Sequence, residues 1–165
     1  MKKQILALLA GIVGLAVVPA MAADGRSVNA QLAAVRAATA DFHRLEVSQG
    51  AGWNFVGSGC VSSPAPGGGA MGYHHLNLAL VGNPGVDPEL PEVLVYAPTP
   101  SGGRRLVAVE WLVPVAISPN PPSLFGQTFH LQPVLQAWIL HAWVWKHNPD
   151  GVFADFNRAV SCASP

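Results

Sequence analysis

Residues 106–113 read LVAVEWLV and predict a β-strand, because β-branched and aromatic side chains dominate the stretch. The Ser-Gly-Gly of the preceding TPSGGRR (99–105) is a hairpin signal. Further strand-like runs are predicted at residues 73–81, 93–96 and 137–146. The stretch 123–130 between prolines reads as a loop that ends in His130.

Upstream of these strands, residues 27–47 predict an amphipathic helix. Apolar residues recur there at spacings of three and four, and Ser27 or Asn29 can cap its first turn. The chain holds 17 glycines and 15 prolines, which favours short strands joined by loops over a helical bundle. We therefore expect an α+β fold in which the N-terminal helix packs on a curved antiparallel sheet of four to five strands.

The first 22 residues predict a secretory signal peptide. Lys2 and Lys3 precede an uninterrupted apolar run over 5–18, and Ala20-Met21-Ala22 fits the small-x-small cleavage rule. At about 1.5 Å per residue, that run is shorter than the roughly 30 Å core of a bilayer, so a membrane anchor is the weaker interpretation. Cleavage after Ala22 would leave a single domain over 23–165 that is periplasmic or secreted, with no stable membrane insertion.

The charge of the mature chain excludes some partners. Without Lys2 and Lys3, seven basic residues face nine acidic ones, for a net charge of −2 with neutral histidines. No basic stripe is present, which argues against nucleic acid as a partner. The oligomeric state is left open.

The two cysteines, Cys60 and Cys162, are expected to form a disulfide. Export places them in an oxidising compartment, and their number is even. The alternatives are two free thiols or two thiolate metal ligands. A disulfide would anchor the Gly/Ser/Pro-rich loop over 57–69.

Two adjacent histidines stand in the run over 73–81. Side chains alternate between the two faces of a strand, so His74 shares a face with Leu76 while His75 points to the other side. The pair is therefore not expected to bind one ion together. A histidine on an apolar face is either a hydrogen-bonded core residue or a ligand whose second nitrogen is held.

Glu110 is the only charged residue of its strand. Carboxylates are rarely buried without a partner, although one glutamate on a solvated face is ordinary and Arg104 or Arg105 could pair with it. His141 lies in the run 137–146, on the same face as Trp143 and Trp145.

We therefore predict a metal site that combines one residue from each of four segments. Central positions of neighbouring strands approach within about 5 Å. Imidazoles with one carboxylate suit zinc, copper or iron with an open coordination position, and Glu110 would be a ligand or a catalytic base. The protein would then be a metal-dependent enzyme or one that stores, carries or senses the metal, and the sequence does not decide between them. The predicted ligands are His74, Glu110, His130 and His141.

A second hypothesis is a binding module for a small apolar ligand. Its pocket would be lined by aromatic side chains, with the histidines as hydrogen-bonding orienters, and the residues are Trp111, Trp143, Trp145 and Phe129. A third hypothesis is a structural or interaction domain in which these aromatic side chains are ordinary core residues. The sequence does not decide whether His75, His147, Asp155 or Asn157 joins a site.

Five blocks carry a resemblance: GGAMGYHHLN (68–77), PEVLVYAP (91–98), LVAVEWLVP (106–114), PPSLFGQTFH (121–130) and WVWKHNPDGVFADFNRAVSC (143–162). Together they resemble a family of uncharacterised exported bacterial proteins with Met-Gly-x-His, Phe-Gly-Gln-x-Phe-His and Trp-Lys-His-Asn-Pro blocks. The resemblance implies no reaction. It extends beyond these blocks to roughly residues 30–162, a range that includes the four predicted ligands and both cysteines. That family usually has an aromatic residue at the position of His75, which implies that His75 is not an essential ligand.

Overall fold

A computed structural model describes residues 25–57, 59–83 and 85–163. The predicted signal peptide at 1–22 lies outside the described residues. Within the described part of the chain, none of the helices has the length and apolar character needed to cross a membrane. The helices are α1 (Val28–Thr39), a 3₁₀ helix (Ala40–His43), α2 (Leu45–Gly50) and α3 (Leu78–Val81).

The predicted N-terminal helix is present but divided. Ser27 caps α1 by accepting a hydrogen bond from the backbone N–H of Ala30. The helical path then narrows to the 3₁₀ turn, and Arg44 adopts an extended conformation that separates this turn from α2. The apolar spacing survives the break, since Phe42 and Leu45 still pack against the core.

The sheet is larger than the four to five strands expected. It is strongly curled and antiparallel, with the strand order β1-β3-β4-β5-β9-β8, while β2 pairs with β3, and β6 and β7 form a separate hairpin. The extra strands are only two or three residues long, too short to leave a pattern in the sequence. The strands are β1 (Asn54–Phe55), β2 (Val61–Ser62), β3 (Ala70–Leu76), β4 (Val93–Pro98), β5 (Arg104–Pro114), β6 (Ser123–Leu124), β7 (Gln127–Thr128), β8 (His130–Gln132) and β9 (Ala137–Ala142).

Three sequence predictions need correction. The run over 73–81 is not one strand, because the Asn77 side chain accepts from the N–H of Ala79 and starts α3. The last strand ends at Ala142, four residues earlier than expected. His130 is not in a loop but opens β8, where it pairs with Ile139.

The two faces of the sheet bury separate cores. The first face packs against α1 and α2 and contains most of the large side chains, including Leu32, Val35, Tyr96, Leu106, Trp111 and Leu140. The second face is covered by the C-terminal tail and includes Val93, Val95, Ala108, Trp143 and Val160.

The expected disulfide is confirmed. Cys60 and Cys162 are joined with their Cα atoms 5.5 Å apart, across a sequence separation of 102. The bridge ties the Gly-rich loop to the tail. Ala70 pairs with Asn157 close to it, so the tail is fixed against β3 as well.

Candidate metal centre

Strand register brings together three of the four predicted ligands. Glu110 on β5 lies directly opposite His141 on β9, and on its other side Glu110 faces Val93 of β4. Val93 in turn faces Leu76, two residues after His74 on β3. Opposed residues project to the same side, as do residues two apart in one strand. His74, Glu110 and His141 therefore share the tail-covered face.

The three side chains converge on a small volume. Glu110 Oε2 lies 3.4 Å from His141 Nδ1 and 3.9 Å from His74 Nε2. One candidate ligand atom from each residue lies within 4.8 Å of the others. Bonds of about 2.0–2.1 Å in a tetrahedral zinc site place ligand atoms roughly 3.3 Å apart. Side-chain movements of about an ångström would close the triad around an ion.

His141 carries the clearest sign of a missing partner. Its side chain is 0% exposed, and neither ring nitrogen has a hydrogen-bond partner among the residues that the structure describes. The 3.4 Å contact of Nδ1 with Glu110 is longer than a well-formed hydrogen bond and acts as an electrostatic contact. Buried polar atoms are nearly always satisfied by protein, water or ion. The ring is held by Trp143, which stacks on it with centroids 5.1 Å apart.

The pKa shifts of Glu110 and His74 favour the protonation states in which these two side chains bind metals. Burial alone would raise the pKa of Glu110, but the His141 contact and the charges of the neighbouring histidines outweigh it and hold the pKa below its usual value. Burial lowers the pKa of His74 despite the nearby carboxylate. Near neutral pH the site thus holds an ionised carboxylate beside a neutral His74 ring, and these are the forms that bind metals.

His130, the fourth predicted ligand, lies beside the triad rather than within it. It faces Ile139, two residues before His141, so its side chain projects to the same face. Its charge contributes to the lowered pKa of Glu110. Its Nε2, however, lies 3.2 Å from Asp155 of the tail, and the His130 side chain is 48% exposed. The pair forms an accessible carboxylate–imidazole group at the edge of the site.

Trp143 links the tail to the triad. While its ring stacks on His141, its indole N–H donates to the carbonyl of Ala154 at 2.6 Å, and its backbone N–H donates to Val152. Ala154 directly precedes Asp155. This linking role of Trp143 could not be predicted, since strand alternation indicated only that it shares a face with His141.

Glu92 is a further acidic residue that the sequence analysis missed. It is 3% exposed and accepts a hydrogen bond from the backbone N–H of Leu112 at 3.0 Å. Burial, together with the charges of Glu110 and Asp87, raises its pKa to about 7 despite that hydrogen bond. Its only sequence signal is a glutamate immediately before an apolar strand.

Three of the residues whose role the sequence left undecided make contacts that indicate a structural role. His75 lies on the opposite face, as alternation predicted, where it contacts Tyr96 and its Nε2 is 2.9 Å from Arg104 Nη1. His147 is exposed, and its carbonyl accepts from the side chain of buried Asn157. Asn157 also caps the backbone of the tail, so it shapes the segment that covers the site.

The four aromatic residues of the pocket hypothesis do not share a wall. Trp111 and Phe129 are buried in the first core, together with partly buried Trp145, while Trp143 belongs to the second core on the other side of the sheet. The indole N–H groups of Trp111, Trp143 and Trp145 donate to Asp87, Ala154 and Thr39, respectively. The four side chains therefore do not line one common pocket.

Comparison of the chain with protein-family models, curated proteins and solved structures found no match. The family resemblance stated above therefore stays a prediction, and the case for function depends on the geometry of the site.

Proposed function

We propose that this protein is exported and binds one transition-metal ion through His74, Glu110 and His141. The observation that carries the proposal is the fully buried His141 ring. Within the described part of the chain this ring has no hydrogen-bond partner, and it lies 3.4 Å from a buried carboxylate. A metal ion would satisfy both groups at once. Leaving them without it is unfavourable, because an unsatisfied buried donor or acceptor costs about 1–3 kcal/mol.

The ligand set supports zinc, copper or iron. Two imidazoles and one carboxylate form the His₂Glu set of catalytic zinc sites and the two-histidine, one-carboxylate set of ferrous oxygenases. Three protein ligands leave a coordination position open. His74, at 16% side-chain exposure, is the most accessible of the three and marks the side from which that position would be reached.

In this proposal Glu110 is a ligand rather than the catalytic base. Its Oε2 is the atom that both histidines face, so this oxygen would be bound to the ion. The acid–base role would fall to His130. Asp155 would orient the His130 ring through their 3.2 Å contact, as carboxylates do beside catalytic imidazoles. With a bound water in the open position, the arrangement would suit metal-assisted hydrolysis.

Export is the second part of the proposal. The predicted signal peptide over 1–22 supports it, and a disulfide is typical of oxidising compartments. Expression of the full chain in a bacterium with fractionation tests it. We expect a periplasmic or secreted protein whose N-terminus is Ala23. A product retained in the cytoplasm with residues 1–22 attached would contradict export without bearing on the metal site.

Elemental analysis of the untagged mature protein tests the metal site. We expect close to one equivalent of zinc, copper or iron, and its loss in His74→Ala and in Glu110→Gln. His147→Ala is the matched control, because that histidine is exposed and outside the triad. Circular dichroism establishes that each variant is folded. A wild-type protein that contains no metal and takes up none on titration would refute the site.

A further inference from the structure

A cavity of about 290 Å³ opens away from the metal centre. It lies where the end of β4, the start of β5, the segment after β9 and the tail meet. On β4, Ala97 lines the cavity, while Val93, four residues before Ala97, faces Glu110. At about 3.3 Å per residue this separates the cavity from the metal centre by roughly 13 Å along the strand.

Two cationic side chains line this cavity. Arg105 and Lys146 both contribute to its wall, which contains no aspartate or glutamate. Among the residues that the structure describes, neither cation forms an ion pair with a carboxylate. Burial and then the charge of Arg105 lower the pKa of His43, so the positive charge of Arg105 is felt on this side of the cavity. Like charges in a concave site raise the local potential and attract anions.

The rest of the wall is largely apolar and rigid. Val107 and Val160 are buried, and Trp145 presents a partly buried indole. The indole is fixed at two points: its N–H donates to Thr39 Oγ1 at 3.0 Å, and its ring contacts His43 edge-on with centroids 4.4 Å apart. Such a wall suits the hydrocarbon part of a ligand.

We propose that this cavity binds a small organic anion. Arg105 and Lys146 would hold its carboxylate or phosphate group, and the apolar part would pack on Trp145 and the two valines. The volume suits a compact molecule, because ligand cavities begin at about 300 Å³. A neighbouring cavity lined by Arg104 is a poorer candidate, since Arg104 already contacts His75 and lies over the Tyr73 ring.

The inference is independent of the metal site, so its test uses metal-free protein. The mature chain with its disulfide intact is treated with chelator, and binding is followed by the NMR shift of the Trp145 indole N–H. The probes are phenyl phosphate, benzoate, inorganic phosphate and the neutral benzyl alcohol. We expect saturable binding of at least one organic anion, binding of inorganic phosphate weaker by about tenfold or more, and no binding of benzyl alcohol. The preferred anion identifies the head group.

Variants assign the binding to the cavity. The double variant Arg105→Gln/Lys146→Gln is expected to bind the organic anion about tenfold or more weakly than wild type. Arg26→Gln is the matched control, because it removes an exposed arginine that pairs with Glu89 and does not line the cavity. Three results would each overturn the proposal. They are an affinity in the double variant equal to that of wild type, an affinity for benzyl alcohol equal to that for the organic anion, and no binding of either organic anion.

Discussion

Replacing Glu110 and His141 together by leucine should stabilise the metal-free protein. The two side chains are 5% and 0% exposed, and no described residue forms a hydrogen bond with the His141 nitrogens. Apolar residues of similar size fill the same space without desolvating a charge. Replacement of buried ionic pairs by apolar residues is commonly neutral or stabilising by about 1–4 kcal/mol, and we expect a gain in this range.

The single variants should instead be less stable than the wild-type protein. Among the ion pairs of the described residues, His141→Leu leaves the buried Glu110 carboxylate with the His74 contact at 3.9 Å. Removing one partner of a buried pair typically costs about 3–5 kcal/mol. The double-mutant cycle should therefore show a coupling energy of several kcal/mol between the two residues. Wild-type protein alone should gain stability from metal, by about 2.7 kcal/mol at a free concentration one hundred times Kd.

Urea unfolding with and without chelator measures these quantities. Tryptophan fluorescence and circular dichroism report the transition, with the disulfide kept intact and the m-values compared. A metal-free double variant less stable than wild type by about 1 kcal/mol or more would refute the reasoning. The pair would then be a structural element that the fold needs, rather than a site retained at a cost in stability.

Three further predictions concern residues outside the triad. Cys60→Ser/Cys162→Ser should lower the free energy of unfolding by about 2–5 kcal/mol, because the bridge spans 102 residues; unchanged urea midpoints would contradict this. Glu92 has a pKa raised from 4.5 to about 7 by burial in the folded protein, so its protonation favours folding. Its contribution should fall as pH rises from about 4.5 to about 7, by about 3 kcal/mol at most. Glu92→Gln should remove that slope in unfolding curves measured across this range, and an unchanged slope would exclude Glu92 as its source. Tyr96→Phe should cost about 1–2 kcal/mol in urea unfolding, since the buried hydroxyl hydrogen-bonds the Phe42 carbonyl at 2.7 Å and Ser48 Oγ at 2.9 Å; a change below about 0.5 kcal/mol would show that water replaces it.

Local patterns were sufficient for the broad architecture. The amphipathic spacing over 27–47 located the helical segment, and runs of β-branched residues located the long strands. The disulfide was predicted from the expected export signal and from the even number of cysteines. The helix and strand patterns depend on a few neighbouring residues, so they can be recognised without knowing the fold of the rest of the chain. Short strands such as β7 and β8 were missed because two or three residues carry no periodicity.

The candidate site shows the same division between local and long-range information. Alternation along one strand was enough to place His74 and His75 on opposite faces. The position of Glu110 opposite His141 depends on the register between β5 and β9, and a slip of one residue would turn either side chain to the other face. No pattern within a strand encodes this register. It is set by the packing of the whole sheet.

The sequence by itself therefore determined which residue types and which strand faces were available for a metal site. Only the tertiary structure decided that His74, Glu110 and His141 meet, and that His130 lies beside them with Asp155 of the tail. The physical reason is that periodicity acts over a few residues. Contacts between β3, β5, β9 and the tail join segments far apart in the chain, and only the burial of both sheet faces fixes them.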